Sequence, residues 1–194
     1  MDRLLPLEIL TFPEAGLPPD LRRQVVALFA EAGWGPPSDD TGLGHDPALR
    51  PVALVLTEAG RVKAALSVLS KPITHLGRPY AASGLSTVVT AAADRRRGHG
   101  RRMIVAARRV MGRAGADLAL FTCDKPLAPF YESGGYEVLT GTVLVGGSRE
   151  DPLPSDGLEK LTMWRPLTRR ARDHAADFLG ARIALYPGTV DRLW

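Results

Sequence analysis

Residues Ser83 to Gly100, Ser-Gly-Leu-Ser-Thr-Val-Val-Thr-Ala-Ala-Ala-Asp-Arg-Arg-Arg-Gly-His-Gly, constrain the fold more than any other stretch of this chain. An apolar, β-branched run predicts a strand, an arginine-rich loop spaced by glycines follows, and a helical pattern opens at Arg101 and continues to Arg113. A junction of this kind is an anion site. Glycines 98 and 100 let backbone approach a ligand closely, the first amides of a helix lack intrahelical partners, and the helix dipole places partial positive charge at the same end. Arg95, Arg96, Arg97 and Arg101 add full charges there. So many donors and cations around one small volume suit a pyrophosphate better than a single carboxylate. The spacing is Arg95-x-x-Gly98-x-Gly100. It matches neither the Walker loop, Gly-x-x-x-x-Gly-Lys-Ser/Thr, nor the dinucleotide fingerprint, Gly-x-Gly-x-x-Gly.

A length of 194 residues suits one well-packed domain and is short for two, so a single domain over 1–194 is expected. The 45% hydrophobic and 24% charged content are those of an ordinary globular protein. No run approaches the ~18 apolar residues of a membrane helix. The amino terminus lacks the charged-then-apolar layout of a signal peptide, and Cys123 is the only cysteine, so no internal disulfide forms. These features predict a cytoplasmic protein with no membrane partner. The net charge of +4 would suit nucleic acid, but the arginines concentrate between 95 and 113 and again between 165 and 172. A local cluster points to a local anion, and no aromatics interleave with the first cluster to stack bases, so no nucleic acid is expected. No spacing of His, Cys or carboxylates suggests a metal.

In chain order, Leu7 to Thr11 suits a first strand, and Asp20 is read as the N-cap of a helix from 21 to 32 that Gly33 stops. Trp34 to Pro51 is a long loop without an apolar period, the kind that often carries function. Val52–Thr57 and Val62–Leu69 flank the hairpin turn Glu-Ala-Gly-Arg, and His75-Leu-Gly-Arg78 leads into the strand ending at Thr90. These three strands predict an antiparallel meander. On the following helix Ile104, Ala107, Val110, Met111 and Ala114 share one face, and its later arginines are read as a solvated face. Asp117–Cys123 is an interior strand which, after a helical crossover, runs parallel to the one before it. Lys125 to Gly135 is a short helix interrupted by prolines and closed by glycines, and Tyr136–Val145 is the next strand. Beyond a polar loop, Leu158–Arg165 is read as a strand and Thr168–Leu179 as a short basic helix.

The loop resembles the acyl-coenzyme A loop of the GNAT N-acetyltransferases, Arg/Gln-x-x-Gly-x-Gly/Ala after a strand. A second motif of that family, Phe-Tyr-x-x-x-Gly-Tyr/Phe closing the short helix after the fifth strand, is matched by Phe130-Tyr131-Glu-Ser-Gly-Gly135-Tyr136. The two motifs stand in the right order and separation, and the resemblance covers roughly residues 5 to 148. It implies an α/β GNAT fold: a mixed, mostly antiparallel central sheet with splayed fourth and fifth strands, flanked by helices. The cosubstrate implied is acetyl-coenzyme A (acetyl-CoA), the partner a small-molecule amine acceptor, and the assembly a homodimer.

Acetyl transfer from a thioester to an amine needs a held acyl carrier, a donor for the carbonyl oxygen, an acid for the leaving thiolate and a neutral nucleophile. By resemblance, the backbone of Val88, Val89 and Thr90 holds the pantetheine arm and bonds the thioester oxygen. The loop from Arg95 through Arg96, Arg97, Gly98, His99 and Gly100 to Arg101 holds the pyrophosphate, and Tyr131 protonates the sulfur. A tyrosine with an unperturbed pKa of ~10 keeps the proton such an acid needs at neutral pH. An alkyl amine with a pKa of ~10.4 costs about 4 to 5 kcal/mol to deprotonate at pH 7. Many family members place a glutamate on the fourth strand to activate the amine. Here the corresponding stretch is Leu85-Ser86-Thr87, and Ser86 is read as ordering a water.

A closer resemblance, to the aminoglycoside 2'-N-acetyltransferases, rests on the tail, the loop after the first helix and Tyr131-Glu-Ser-Gly-Gly. It implies that the terminal carboxylate of Trp194 faces the acceptor as a candidate catalytic base, with Asp39 and Asp40 binding a cationic aminosugar and residues 148–194 contributing to the acceptor side. The chain departs from that pattern at Arg192, where the relatives carry an acid, at Ser86, and in an added segment from Leu167 to Leu185. These departures leave open a different amine, or an acceptor carrying an anionic group. His99 is read as exposed, His45 in the acceptor loop as a surface residue with a base as the alternative, His75 as a turn residue and Cys123 as a buried small hydrophobe. The alternatives are a non-catalytic acyl-CoA-binding or regulatory module, motivated by the missing strand carboxylate, and an RNA binder using the basic helix.

Overall fold

Apolar alternation in the first half of the chain builds strands, and the computed structural model describes residues 6–35 and 43–186. Strand β1 (Glu8–Pro13) leads through a 3-10 turn, Glu14–Gly16, to helix α1 (Pro19–Glu31). Pro18 occupies the N-cap position without a side-chain cap bond, Pro19 opens the helix, and Asp20 lies inside the first turn. Proline's fixed φ presets the first helical position, and an aspartate there favours the positive end of the dipole. Strands β2 (Val52–Glu58), β3 (Arg61–His75) and β4 (Arg78–Thr90) follow. The two turns between them place Ala59–Gly60 and Leu76–Gly77 at positive φ, the geometry that matches hairpin twist. Strand β3 outruns the predicted Leu69. Its pairing with β2 ends at Val68, so Pro72, which has no N–H to give, breaks no bond of that ladder.

Helix α2 (His99–Arg113) and strand β5 (Leu118–Asp124) come next, then α3 (Ala128–Ser133) and β6 (Glu137–Val138). The stretch predicted as one strand to Val145 is broken at Gly141, φ 72, and resumes as β7 (Val143–Gly147). Strands β8 (Pro152–Pro154) and β9 (Lys160–Pro166) precede α4 (Arg169–Asp173) and β10 (Arg182–Ala184). The predicted helix to Leu179 stops at Asp173 and gives way to a 3-10 turn, Ala175–Phe178, in which Phe178 is fully buried. Burial of one large ring outweighs continuing a weakly amphipathic helix.

Seven strands form a mixed sheet in the order β1-β2-β3-β4-β5-β9-β6, and β10-β7-β8 form a second. Pairing is antiparallel for β1–β2, β2–β3, β5–β9 and β6–β9, and parallel for β4–β5. The β4–β5 register covers two pairs, Ala82 with Leu118 and Ser83 with Ala119, the short contact expected of strands that splay.

By internal contacts the chain divides into two compact units, Met1–Leu69 with Leu85–Ala107, and Ser70–Gly84 with Arg108–Trp194. The first has a core of Leu17, Val25, Leu28, Phe29, Val55 and Val89. In the second, Tyr80, Leu118, Trp164, Phe178 and Ile183 are central. The segment from Leu167 to Leu185 completes this second core through Ala171, Phe178, Ile183 and Leu185. Among the described residues no helix is long and apolar enough to cross a membrane, and no cluster of ligands fits a metal.

Candidate active site

In the first unit, β4 ends at Thr90 and a 3-10 turn, Ala92–Asp94, delivers the chain to the arginine loop. Arg96 and Gly98 take positive φ, 61 and 79 degrees, which curls the backbone just before α2. A Cβ added at Gly98 would meet nothing within 4 Å, so the space beside this backbone is open. Helix α2 begins at His99, two residues earlier than predicted, and its first turn closes with the Arg102 amide donating to the Gly98 carbonyl at 3.0 Å. His99 is buried, contrary to the exposed ring expected, because it is a helical residue and not a loop one.

The arginines do not share one role. Arg95 donates to the Thr90 carbonyl at 3.3 Å and so braces the end of β4. Arg97 pairs at 3.3 Å with Asp94, a buried carboxylate that Lys63 also reaches at 3.3 Å. Arg96 and Arg101 are exposed. The curl at Arg96 and Gly98, the open face of Gly98 and the first amides of a fifteen-residue helix fit a pyrophosphate.

Upstream on β4, Val88 and Thr90 are half-buried and Val89 is in the core. Thr87 holds φ at 50 degrees inside a strand, an outlier for a β-branched residue, and its buried hydroxyl has no hydrogen-bond partner among the described residues. Strain and an orphaned polar atom on one residue mark a place where local rules yield to something else.

Next to it, the Ser86 hydroxyl lies 2.9 Å from Nε2 of His45. The other ring nitrogen, Nδ1, lies 2.7 Å from Oε2 of Glu14. Glu14 is 2% exposed and accepts further bonds from the Leu43 amide at 2.7 Å and the Ser67 hydroxyl at 3.2 Å. Burial by itself would raise this carboxyl. The hydrogen bond and charge of His45, with the amides of Leu43 and His45, outweigh it and hold the group below the ordinary carboxylate value. An ionised carboxylate only accepts, so in the neutral ring the proton sits on Nδ1 and Nε2 accepts from Ser86. His45 is therefore not a surface residue. Glu14 escaped notice in the sequence because no spacing rule links residues 14, 45, 67 and 86; the single legible hint was a histidine in the loop singled out for function.

In the second unit Tyr131 is 7% exposed, on the short helix α3, with its ring edge-on to Phe121, Phe130 and Tyr136. Burial, with smaller contributions from Cys123 and Asp124, raises its hydroxyl above the ordinary tyrosine value, so the proton stays on at neutral pH. Tyr136 is also core. Gly135 holds φ 85, a conformation that favours glycine, and packs against the guanidinium of Arg108, which donates to the Gly134 carbonyl at 2.9 Å. Arg108 caps α3 and is not part of a merely solvated face. Cys123 is buried, and burial first, then Asp124, lifts its thiol to about 11, so it is inert. His75, read as a turn residue, is buried at the end of β3 and bonded to the Asp177 carbonyl at 2.7 Å. Asp39, Asp40, Arg192 and Trp194 lie outside the described residues.

A sequence model of the acetyltransferase (GNAT) domain matches residues 21–139, which includes most of α1, the meander, the arginine loop and the Tyr131 helix. The chain belongs to the GNAT acetyltransferases. Solved structures of the same fold include a GNAT family N-acetyltransferase (YhbS) from Escherichia coli in complex with CoA, 16% identical, covering 99% of both chains with a TM-score of 0.62. An aminoglycoside 6'-N-acetyltransferase complexed with coenzyme A is 14% identical, over 84% of this chain and 98% of that one, with a TM-score of 0.57. An acyl-CoA N-acyltransferase from Pseudomonas aeruginosa is 18% identical, over 82% and 99%, also at 0.57. At these identities the likeness shows the shared fold. No curated protein sequence matches the chain. This GNAT acetyltransferase is an acyl-CoA-dependent enzyme, and acetyl-CoA is the cosubstrate that its loop fits.

Proposed function

We propose that this GNAT enzyme moves an acetyl group from acetyl-CoA directly to a primary amine of a small molecule, with an aminoglycoside-like aminosugar as the first candidate class and Tyr131 as the acid. The observation that carries the reading is the Arg95–Arg101 junction, where the curled backbone, the open face of Gly98 and the helix start of α2 converge. The cosubstrate supplies the activated acetyl group as a thioester. The exposed Arg96 and Arg101 and the first amides of α2 hold its pyrophosphate, and the backbone of Val88, Val89 and Thr90 aligns its pantetheine arm. Tyr131 keeps its proton at neutral pH and gives it to the departing sulfur. On the acceptor side, the resemblance to the 2'-specific aminoglycoside enzymes assigns Asp39 and Asp40 to binding the cationic sugar. A cytoplasmic homodimer completes the proposal, and sedimentation equilibrium checks its dimeric state.

The test is thiol release from acetyl-CoA against aminoglycosides, polyamines, amino acids and arylamines, comparing the native chain with Tyr131→Phe. The expected result is turnover on one class and a fall in kcat of about 10²- to 10⁴-fold in the variant with CoA affinity kept. Loss of CoA binding in the native chain overturns the assignment of the loop. CoA binding without turnover on any amine overturns the transfer reaction.

A further inference from the structure

We propose that Glu14, His45 and Ser86 form the proton-accepting relay that frees the acceptor amine, with Ser86 as the group that meets the amine and His45 as the base behind it. The inference rests on the acetyl-transfer reading and supplies the function for which the fourth strand has no carboxylate.

Three observations carry it. The first is geometry: a carboxylate, an imidazole and a hydroxyl lie in series at 2.7 and 2.9 Å, and both ring nitrogens of His45 are engaged. A proton therefore reaches Nε2 through the Ser86 oxygen. The second is construction. Glu14 is anchored by the Leu43 amide and the Ser67 hydroxyl, so the imidazole is held in one orientation by a buried carboxylate, which a solvated histidine does not need. A buried ion is costly unless it is paired and hydrogen-bonded, and the partners that meet this cost at Glu14 are the same ones that fix the ring. The third is position. Ser86 precedes the strained Thr87 and its partnerless buried hydroxyl, and it stands on the same strand as Val88, Val89 and Thr90. A polar substrate group arriving beside Ser86 is what would satisfy that hydroxyl.

The proton balance is simple. An ammonium R–NH₃⁺ gives one proton to the Ser86 oxygen as Ser86 passes its own to Nε2 of His45, leaving R–NH₂ and an imidazolium whose Nδ1–H faces the Glu14 carboxylate. The amine nitrogen then bonds to the acetyl carbon, the carbon–sulfur bond breaks, and the electron pair leaves on sulfur. The second amine proton restores the acid that protonated the sulfur, and the imidazolium releases the first to solvent. The sum is R–NH₃⁺ plus acetyl-CoA giving acetylated amine, CoA and H⁺. The relay has to take that proton from an ammonium, and an alkyl ammonium of pKa ~10.4 gives it up less readily than a weakly basic one, so the relay favours weakly basic amines.

Among the described residues the charged group on the His45 ring is Glu14, from the 3-10 turn. Ser67 from β3 bonds the Glu14 carboxylate and Ser86 from β4 bonds the ring, each with a neutral hydroxyl, and the neighbouring Asp46 caps the Ala48 amide.

The test measures kcat/KM against pH for the full chain and for Ser86→Ala, His45→Gln, Glu14→Gln and Glu14→Asp, with CoA affinity measured in parallel and intact mass after acetyl-CoA alone. Ser86→Ala removes one hydroxyl and leaves the Glu14–His45 pair in place, so it reports even where a change at the buried pair harms folding. The expected result is a loss of about 10²-fold or more in kcat for Ser86→Ala and His45→Gln with CoA affinity kept. The acid limb of the profile is lost in His45→Gln, and kcat falls in Glu14→Gln and is restored in part by Glu14→Asp. A native pH profile and kcat in both Ser86→Ala and His45→Gln overturn the relay alone. An acetyl adduct mapped to Ser86 overturns it too, making Ser86 a nucleophile. CoA binding with no transfer by the native chain overturns the enzymatic reading and the relay together.

Discussion

The two compact units treat their buried polar groups in opposite ways. In the second, Asp117 accepts from the Ala81 amide and Thr168, His75 from β3 meets the Asp177 carbonyl, and Lys71 reaches the Leu185 carbonyl. The bonds through Thr168, Asp177 and Leu185 tie the C-terminal segment to the rest of the unit, around a core in which Phe178 touches the rings of His75, Tyr80 and Trp164. In the first, Glu14, His45, Ser67 and Ser86 form a connected network beside a strained residue with an orphaned hydroxyl, and Arg96 curls the loop at positive φ. Polar groups that bond to backbone across a core hold structure together, whereas polar groups bonded to one another beside strain are poised for chemistry.

The largest expected effect lies in the second unit. Phe178→Ala removes a fully buried ring from three aromatic contacts and lowers stability by about 3–5 kcal/mol, read by urea unfolding, while any enzyme still folded keeps its KM for acetyl-CoA. Tyr131→Phe is the variant that can break the comparison, since Tyr131 belongs to the second unit but is assigned chemistry. A kcat loss of about 10²- to 10⁴-fold with stability kept sustains that assignment. A loss of stability alone makes the second unit scaffold throughout.

Lys71 gives the pH dependence. Burial pushes its ammonium down from 10.5 to about 8, so the folded state is penalised while Lys71 is charged, below about pH 8, and the penalty fades as pH rises to 10.5. Stability gained over that window is lost as pH falls through 8. Lys71→Met flattens the rise, which amounts to at most about 3 kcal/mol, measured as chemical-denaturation midpoints across pH.

Smaller effects belong to the first unit. Gly98→Ala meets no neighbour but must hold φ near 79 degrees, costing about 1–2 kcal/mol and raising KM for acetyl-CoA roughly tenfold with kcat unchanged. Thr87→Val replaces the orphaned hydroxyl by a methyl of similar shape. It should stabilise the fold by about 1 kcal/mol and slow turnover, the trade expected where strain serves function.

Local signals made the anion site legible. Glycines at 98 and 135 stand where positive φ is needed, the apolar face of α2 buries Ile104, Ala107 and Met111, and two motifs fixed the family. Element ends were less legible. The strand predicted through Val145 broke at Gly141 and the basic helix stopped at Asp173, because turn geometry and the burial of Phe178 override local pattern. His45 was misplaced on the surface and Glu14 passed unnoticed for a deeper reason. Their partners lie 31 and 41 residues apart in the chain, and periodicity carries no information over that range.

The sequence by itself determined the sheet-forming alternation, the glycine-spaced arginine loop and the helix that it opens, because each depends on neighbours within a few residues. Only the tertiary structure decided that a turn glutamate, a loop histidine and a strand serine would meet. Bringing β1's exit turn, the loop before β2 and the middle of β4 to one point depends on strand pairing and shared core, and no local propensity encodes it.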